Sequence, residues 1–167
     1  MNTKLTHTNE RFSVLSGSSD FLNIILNNIS SCVMLLDNEL RLRAFNDPLT
    51  TIFSNKKNEE LLYRKCGEVL GCAYQIEEGT PCGSTSKCNT CELRVSALYS
   101  YVENKPIYNA HLMKSFIDFD GNKEDKHLQF STRLFKYQKE NYIVAIIEDI
   151  TALKQAQIAE KNLKGII

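Results

Sequence analysis

Tyr142-Ile143-Val144-Ala145-Ile146-Ile147-Glu148-Asp149-Ile150-Thr151 is the stretch on which the fold turns. Its first six residues are nearly all apolar, which predicts a central strand buried on both faces. Thr151 then predicts a cap for a final helix through the terminal residues TALKQAQIAEKNLKGII. Two more strand-like runs lie just upstream, over 107–119 and 127–137. Asp120-Gly121-Asn122 supplies a turn between them, and 138–141 is a tight connection into the decisive stretch. The last third of the chain is therefore β.

Working back to the start, Asp20 predicts a helix N-cap. Phe21, Ile25 and Ile29 follow at i, i+4 and i+8, with Leu22 and Leu26 beside them, which makes one apolar stripe on a helix over 20–29. Cys32-Val33-Met34-Leu35-Leu36 is a short apolar strand stopped by Asp37-Asn38. Leu40, Leu42 and Ala44 then alternate with Arg41 and Arg43, the period of a half-exposed second strand in a hairpin. Pro48 suits a first helical position. Residues 48–103 read as helix and loop, the Gly/Pro/Ser-rich piece over 79–86 having no regular structure. A helix over 88–103 carries Leu93, Ala97 and Tyr101 on one face. Residues 1–19 read as a mobile polar leader, with a short helix near Phe12 to Leu15.

The chain has 167 residues, 43% hydrophobic and 24% charged, which suits one domain with an ordinary core. Its zero net charge leaves no electrostatic footprint for nucleic acid or an anionic membrane. There is no apolar run near the roughly 20 residues needed to span a bilayer, and the N-terminal residues lack the apolar stretch of a secretory signal. The expected location is the cytosol. There, reducing conditions turn the six cysteines toward metal or redox roles rather than structural disulfides.

The order of two strands, a helical middle, three antiparallel strands and a flanking helix resembles the PAS fold over roughly 20–150. The Asp37-Asn38 turn, Phe45-Asn46 closing the second strand and Glu148-Asp149-Ile150-Thr151 before the last helix are points of likeness. The resemblance implies an α+β fold: a five-stranded antiparallel sheet with helices on one side and flanking helices at both ends. It divides the chain into the leader 1–19, a sensor domain 20–150 with a cysteine loop 66–91, and a C-terminal signalling or dimerisation helix 151–167. Leu70-Gly71-Cys72, Cys82-Gly83 and Cys88-Asn89-Thr90-Cys91 look like a cysteine-bearing subgroup of PAS domains in bacterial signalling proteins, especially of anaerobes. The chain departs from that subgroup at Tyr74, where a histidine is common, and at Glu92, where a glycine is common.

Cys72, Cys82, Cys88 and Cys91 are spaced C-x9-C-x5-C-x2-C. Two thiolates two residues apart can wrap one metal, and the glycines and Pro81 let the loop fold back to bring in the other two. Four soft thiolates suit an iron–sulfur cluster or zinc. A thiol–disulfide switch is the remaining alternative. Cys32, in an apolar strand, reads as a packing residue, and so does Cys66, which could otherwise replace a ligand. His7, His111 and His127 read as surface or core histidines, and Arg133 and Lys114 as solvated strand charges that could instead face a ligand cavity. The chain shows no phosphate loop, no kinase motif and no supported Ser-His-Asp set, so no catalytic residue is assigned. The expected function is a sensory signalling module, redox- or oxygen-responsive through the cluster. The alternatives are a small-molecule sensor pinned by zinc or a thiol switch, and an oxidoreductase using the cysteines directly. The terminal helices, the second with Leu153, Ala156, Leu163 and Ile167 interrupted by Glu160, predict a homodimer. Output would pass through a partner chain or a downstream domain.

Overall fold

The computed structural model describes residues 19–53 and 60–165. Helix α1 (Ser19–Asn28) leads into strands β1 (Cys32–Leu36) and β2 (Leu42–Phe45). Three short helices follow, α2 (Pro48–Ile52), α3 (Cys66–Leu70) and α4 (Ala73–Glu78), then a single 3-10 turn (Cys88–Thr90) and helix α5 (Glu92–Glu103). Strands β3 (Ile107–Ile117), β4 (Lys123–Tyr137) and β5 (Glu140–Asp149) complete the sheet, and α6 (Thr151–Lys164) leaves it. The sheet order is β2-β1-β5-β4-β3, with every neighbouring pair antiparallel. β5 is the middle strand, as its sequence predicts, and the expected α+β fold holds.

One face of the sheet is covered. Met34, Leu36, Leu42, Leu128, Phe130, Ile143 and Ile147 point to that face and pack with Leu49, Val69, Leu70, Leu93 and Ala97 from the helical middle. Each such fully buried apolar side chain contributes roughly 1.5–3 kcal/mol. Among the described residues no helix layer covers the other face, and β5 is not fully buried on both sides: Val144 is half-buried and Ile146 is 40% exposed. An apolar residue at every position hides the alternation that a one-sided cover imposes on a sheet.

Several local expectations shift by a residue or more: β3 ends at Ile117 rather than 119, and the helix expected over 88–103 starts at Glu92 after the 3-10 turn. Leu40 does not belong to the second strand. It sits buried in the left-handed region at φ 60°, and the strand starts at Leu42. The reason is the turn: the Asp37 carboxylate accepts the N–H groups of both Glu39 and Arg41, at 3.0 Å each. Asp20 lies inside the first turn of α1 rather than capping it. Thr151 is the first residue of α6, not its cap, and its hydroxyl accepts the His127 N–H at 3.0 Å. The Asp149 carboxylate accepts the Thr151 N–H instead, also at 3.0 Å. β4 starts at Lys123, four residues before the expected 127. Ser19 is helical; the rest of the expected leader, with its short helix and His7, lies outside the described residues, as does Ile167.

The stripe of α1 is largely uncovered, with Leu22, Ile25 and Ile29 exposed, and so are Leu153, Ile158 and Leu163 of α6. Among the described residues no helix is long and apolar enough to cross a membrane.

Asn46 ties α1 to the sheet. It is only 2% exposed, accepts the Val33 N–H through Oδ1 at 2.8 Å, and donates through Nδ2 to the carbonyls of Leu26 at 2.7 Å and Ser31 at 2.9 Å. Alanine there strands one donor and two acceptors. Urea unfolding of Asn46→Ala should show a loss of about 2–3 kcal/mol. A loss within error of zero would mean that water replaces the side chain.

Candidate functional site

The cysteine loop is held at both ends by backbone. α3 ends in Gly71 at φ 78°, a left-handed cap that glycine adopts without strain. This reversal places the Gly71 carbonyl on the edge of β3, where it accepts the Ile117 N–H at 2.8 Å, and pairs Cys72 with Phe116. The Cys72 N–H itself donates to the Gly67 carbonyl at 2.9 Å. At the end of α4, the Glu78 carboxylate accepts the Ser86 N–H at 2.9 Å and the Ser86 hydroxyl, stapling the far side of the loop. The chain then turns through the 3-10 segment into α5, which starts immediately after Cys91. A buried hydroxyl clasp fixes α5 on the sheet: Ser100 Oγ lies 2.8 Å from Thr132 Oγ1, which donates to the Ser96 carbonyl at 3.2 Å.

Folded this way, Cys72, Cys82, Cys88 and Cys91 line one pocket between α3, α5 and β3. Cys66, read as a packing residue that could otherwise replace a ligand, lines the same pocket. Cys32 is fully buried in β1 and does not line it; burial pushes its thiol up to about 12. Cys66, Cys72 and Cys88 are buried, whereas Cys82 and Cys91 are partly exposed. Among the described residues no three His, Cys, Asp or Glu side chains stand together in a metal-holding arrangement. The pocket gathers the sulfurs without converging them.

The surroundings favour negative sulfur at Cys88. The Gly83 N–H donates to Cys88 Sγ at 3.1 Å, and the Thr85 hydroxyl lies 2.9 Å from it. Burial would raise the Cys88 thiol, but these contacts and the Lys114 charge outweigh it and bring it below its ordinary value. Burial raises the Cys82 thiol, although the Gly67 N–H donates to its sulfur at 3.3 Å. Burial also raises Cys66, reinforced by the charges of Cys82 and Cys91. Lys114 is half-buried with Nζ 3.5 Å from Cys91 Sγ. Burial works against its ammonium, but the Cys91 and Cys72 sulfurs reverse that and hold it charged. The Arg94 guanidinium, a second cation lining the pocket, packs on Gly83, where φ is 103°.

Lys114 therefore belongs to the site and is not a solvated strand charge, because the Cys72–Phe116 pairing turns this face of β3 toward the loop. Arg133 is exposed and borders a groove on the other face of the sheet. His111 is exposed on β3 and His127 is half-buried on β4; neither lines the thiol pocket. Gly67, Thr85 and Arg94 are site residues that the sequence did not single out. A second, outer pocket of about 160 Å³ borders the first and shares Cys91 and Lys114 with it. Tyr74 and Glu92, the two departures from the cysteine-bearing pattern, both line this outer pocket.

No family model matches the chain, and no curated protein matches it. Solved structures do. The PAS domain of a protein from Colwellia psychrerythraea aligns at 9% identity with a TM-score of 0.52, over 80% of this chain and 97% of that one. An RNA-binding light-oxygen-voltage receptor aligns at 13% identity and TM-score 0.54, over 99% of this chain but 40% of the receptor. The PAS domain of nitrogen regulation protein NR(II) from Vibrio parahaemolyticus aligns at 13% identity and TM-score 0.47, over 77% of this chain and 97% of that one. At such identities the likeness to the first two speaks for architecture alone. Together with the β2-β1-β5-β4-β3 antiparallel sheet and its single helical cover, it establishes that this chain has the PAS fold.

Proposed function

We propose that the chain is a sensory signalling module, and that Cys72, Cys82, Cys88 and Cys91 hold an iron–sulfur cluster through which it responds to redox state or oxygen. The observation that carries this reading is that these four thiols line one pocket beside two cations, with N–H groups on two of the sulfurs. Thiolates with N–H donors and nearby positive charge are the donor set that iron–sulfur sites use. A bound cluster would supply a one-electron redox centre. The protein's part is to hold the ligands, to offset their charge with Lys114 and Arg94, and to feel any movement of the loop.

That movement has a short route out. Gly71 and Cys72 are bonded to β3, and β3 pairs with β4 through Met113 opposite His127. His127 holds the start of α6 with both backbone groups: its carbonyl accepts the Ile150 N–H at 2.9 Å and its N–H donates to Thr151 Oγ1. A shift of the loop would therefore reach the exit helix through three hydrogen-bonded segments.

Anaerobic purification with metal analysis tests the proposal. A brown protein with stoichiometric iron is the expected result. A colourless protein holding zinc would replace it with the second reading, a small-molecule sensor whose loop is pinned by one ion. That reading is favoured by the thiol cavity itself, which has about 30 Å³ of room, on the order of one or two waters. Neither metal, with thiols that oxidise reversibly to a disulfide, would leave the thiol switch.

The same reading includes a homodimer. The exposed apolar side chains of α1 and α6 call for a partner, because short helices are marginal alone, and a second copy supplies both. Sedimentation should give a dimer at micromolar concentration. A monomer at high micromolar concentration would overturn this part of the proposal.

A further inference from the structure

Five thiols line the inner pocket, but they are not equally reachable. Cys66, Cys72 and Cys88 are buried; Cys82 is partly exposed, like Cys91, but leans on Gly67. Cys91 alone among them also lines the outer pocket, together with Tyr74, Lys87, Glu92, Met113 and Lys114. Lys114 is the other side chain common to the two pockets, with its ammonium 3.5 Å from the Cys91 sulfur and 6.0 Å from the centre of the Tyr74 ring. The charges facing this space are two lysines and one carboxylate, Glu92.

We propose that this outer pocket is a vestibule that admits small anions or small anionic electrophiles to the Cys91 sulfur. The proposal rests on reading the thiol pocket as the sensing site, and it names the side from which a signal arrives. The volume of about 160 Å³ suits a molecule of a few heavy atoms. The exposed Lys87 and the half-buried Lys114 place two ammonium groups along the lining, the second beside the sulfur, so an anion drawn in ends at Cys91. A neutral molecule of the same size gains nothing from that field.

The probe is a pair of alkylating agents of nearly equal size, anionic iodoacetate and neutral iodoacetamide. In each case sulfur displaces iodide: the S–C bond forms as the C–I bond breaks, and iodide leaves with the electron pair. The full chain, reduced and stripped with a chelator under nitrogen, is labelled briefly at low salt, and each cysteine is read by peptide mass spectrometry. Cys91 should be labelled first, at least about tenfold faster than the buried Cys66, Cys72 and Cys88. The rate ratio of iodoacetate to iodoacetamide at Cys91 cancels the thiolate fraction and isolates the field. It should fall about fivefold in Lys114→Gln, fall less in Lys87→Gln, and converge toward the variants' value for the native chain as salt approaches ~1 M.

Labelling at Cys82 before Cys91, or a ratio that neither lysine variant changes, would overturn the proposal. Should Lys114→Gln unfold and expose all six thiols together, the exposed Lys87 decides alone. Metal analysis of the untreated sample is a separate result. A chain that never binds metal fails the cluster reading and still answers the question of access.

Discussion

Serine at Cys72, Cys82, Cys88 or Cys91 should strip the protein of its metal, while Cys32→Ser keeps full occupancy. Each of the four sulfurs lines the pocket, and Cys32 does not. Losing an outer-shell partner costs 10–100-fold in metal affinity, and losing a thiolate ligand should exceed that. Cys66→Ser is the informative fifth case, because Cys66 lines the same pocket. It sits at the start of α3 and is buried. Its thiol is raised by burial and by the neighbouring Cys82 and Cys91. Its serine variant should retain the metal. Iron and zinc content after anaerobic purification decides the series. Metal lost from Cys66→Ser but kept in Cys72→Ser would move the fourth ligand to position 66.

Gly67→Ala should separate binding from folding. Gly67 is buried in α3, and its Cβ would stand 2.8 Å from Cys82 Sγ and 3.1 Å from Cys82 Cβ. The sulfur would have to leave its place. Alanine at a helical glycine gains up to about 1 kcal/mol in propensity, which offsets part of the roughly 1–3 kcal/mol of overpacking. The thermal midpoint should therefore move by only a few degrees. Metal retention should drop at least about tenfold, since a methyl group on Gly67 takes space beside the Cys82 sulfur and Cβ and narrows the positions from which Cys82 can join the other three. Circular dichroism and metal analysis on one sample check both halves. Full metal content in a folded Gly67→Ala protein would remove Cys82 from the ligand set.

The strands could be read because β alternation and turn chemistry are local. The paired runs of β3 and β4, the Asp37-Asn38 turn and Pro48 at the first position of α2 all depend on near neighbours in sequence. The exposure of Ile146 could not be read, because nothing in an all-apolar run says which face the helices will choose. The four loop cysteines announced themselves by type and spacing. Lys114 did not, since a lone lysine in a strand turns into a site residue only through the pairing of Cys72 with Phe116, 44 positions later. Gly67 was hidden for a different reason: its importance is the hydrogen it carries in place of a methyl group, which matters only once Cys82 folds back against it.

The bond from Ile117 N–H to the Gly71 carbonyl has a consequence beyond fastening the loop. β3 is the last strand of the sheet, and an open last strand is a template on which another chain can add itself. Here the cysteine loop serves as the guard of that border at Phe116 and Ile117. Any event that lifts Gly71 and Cys72 away uncovers an unpaired amide there. The exchange rate of the Ile117 amide with deuterium is therefore a direct gauge of how firmly the border is closed.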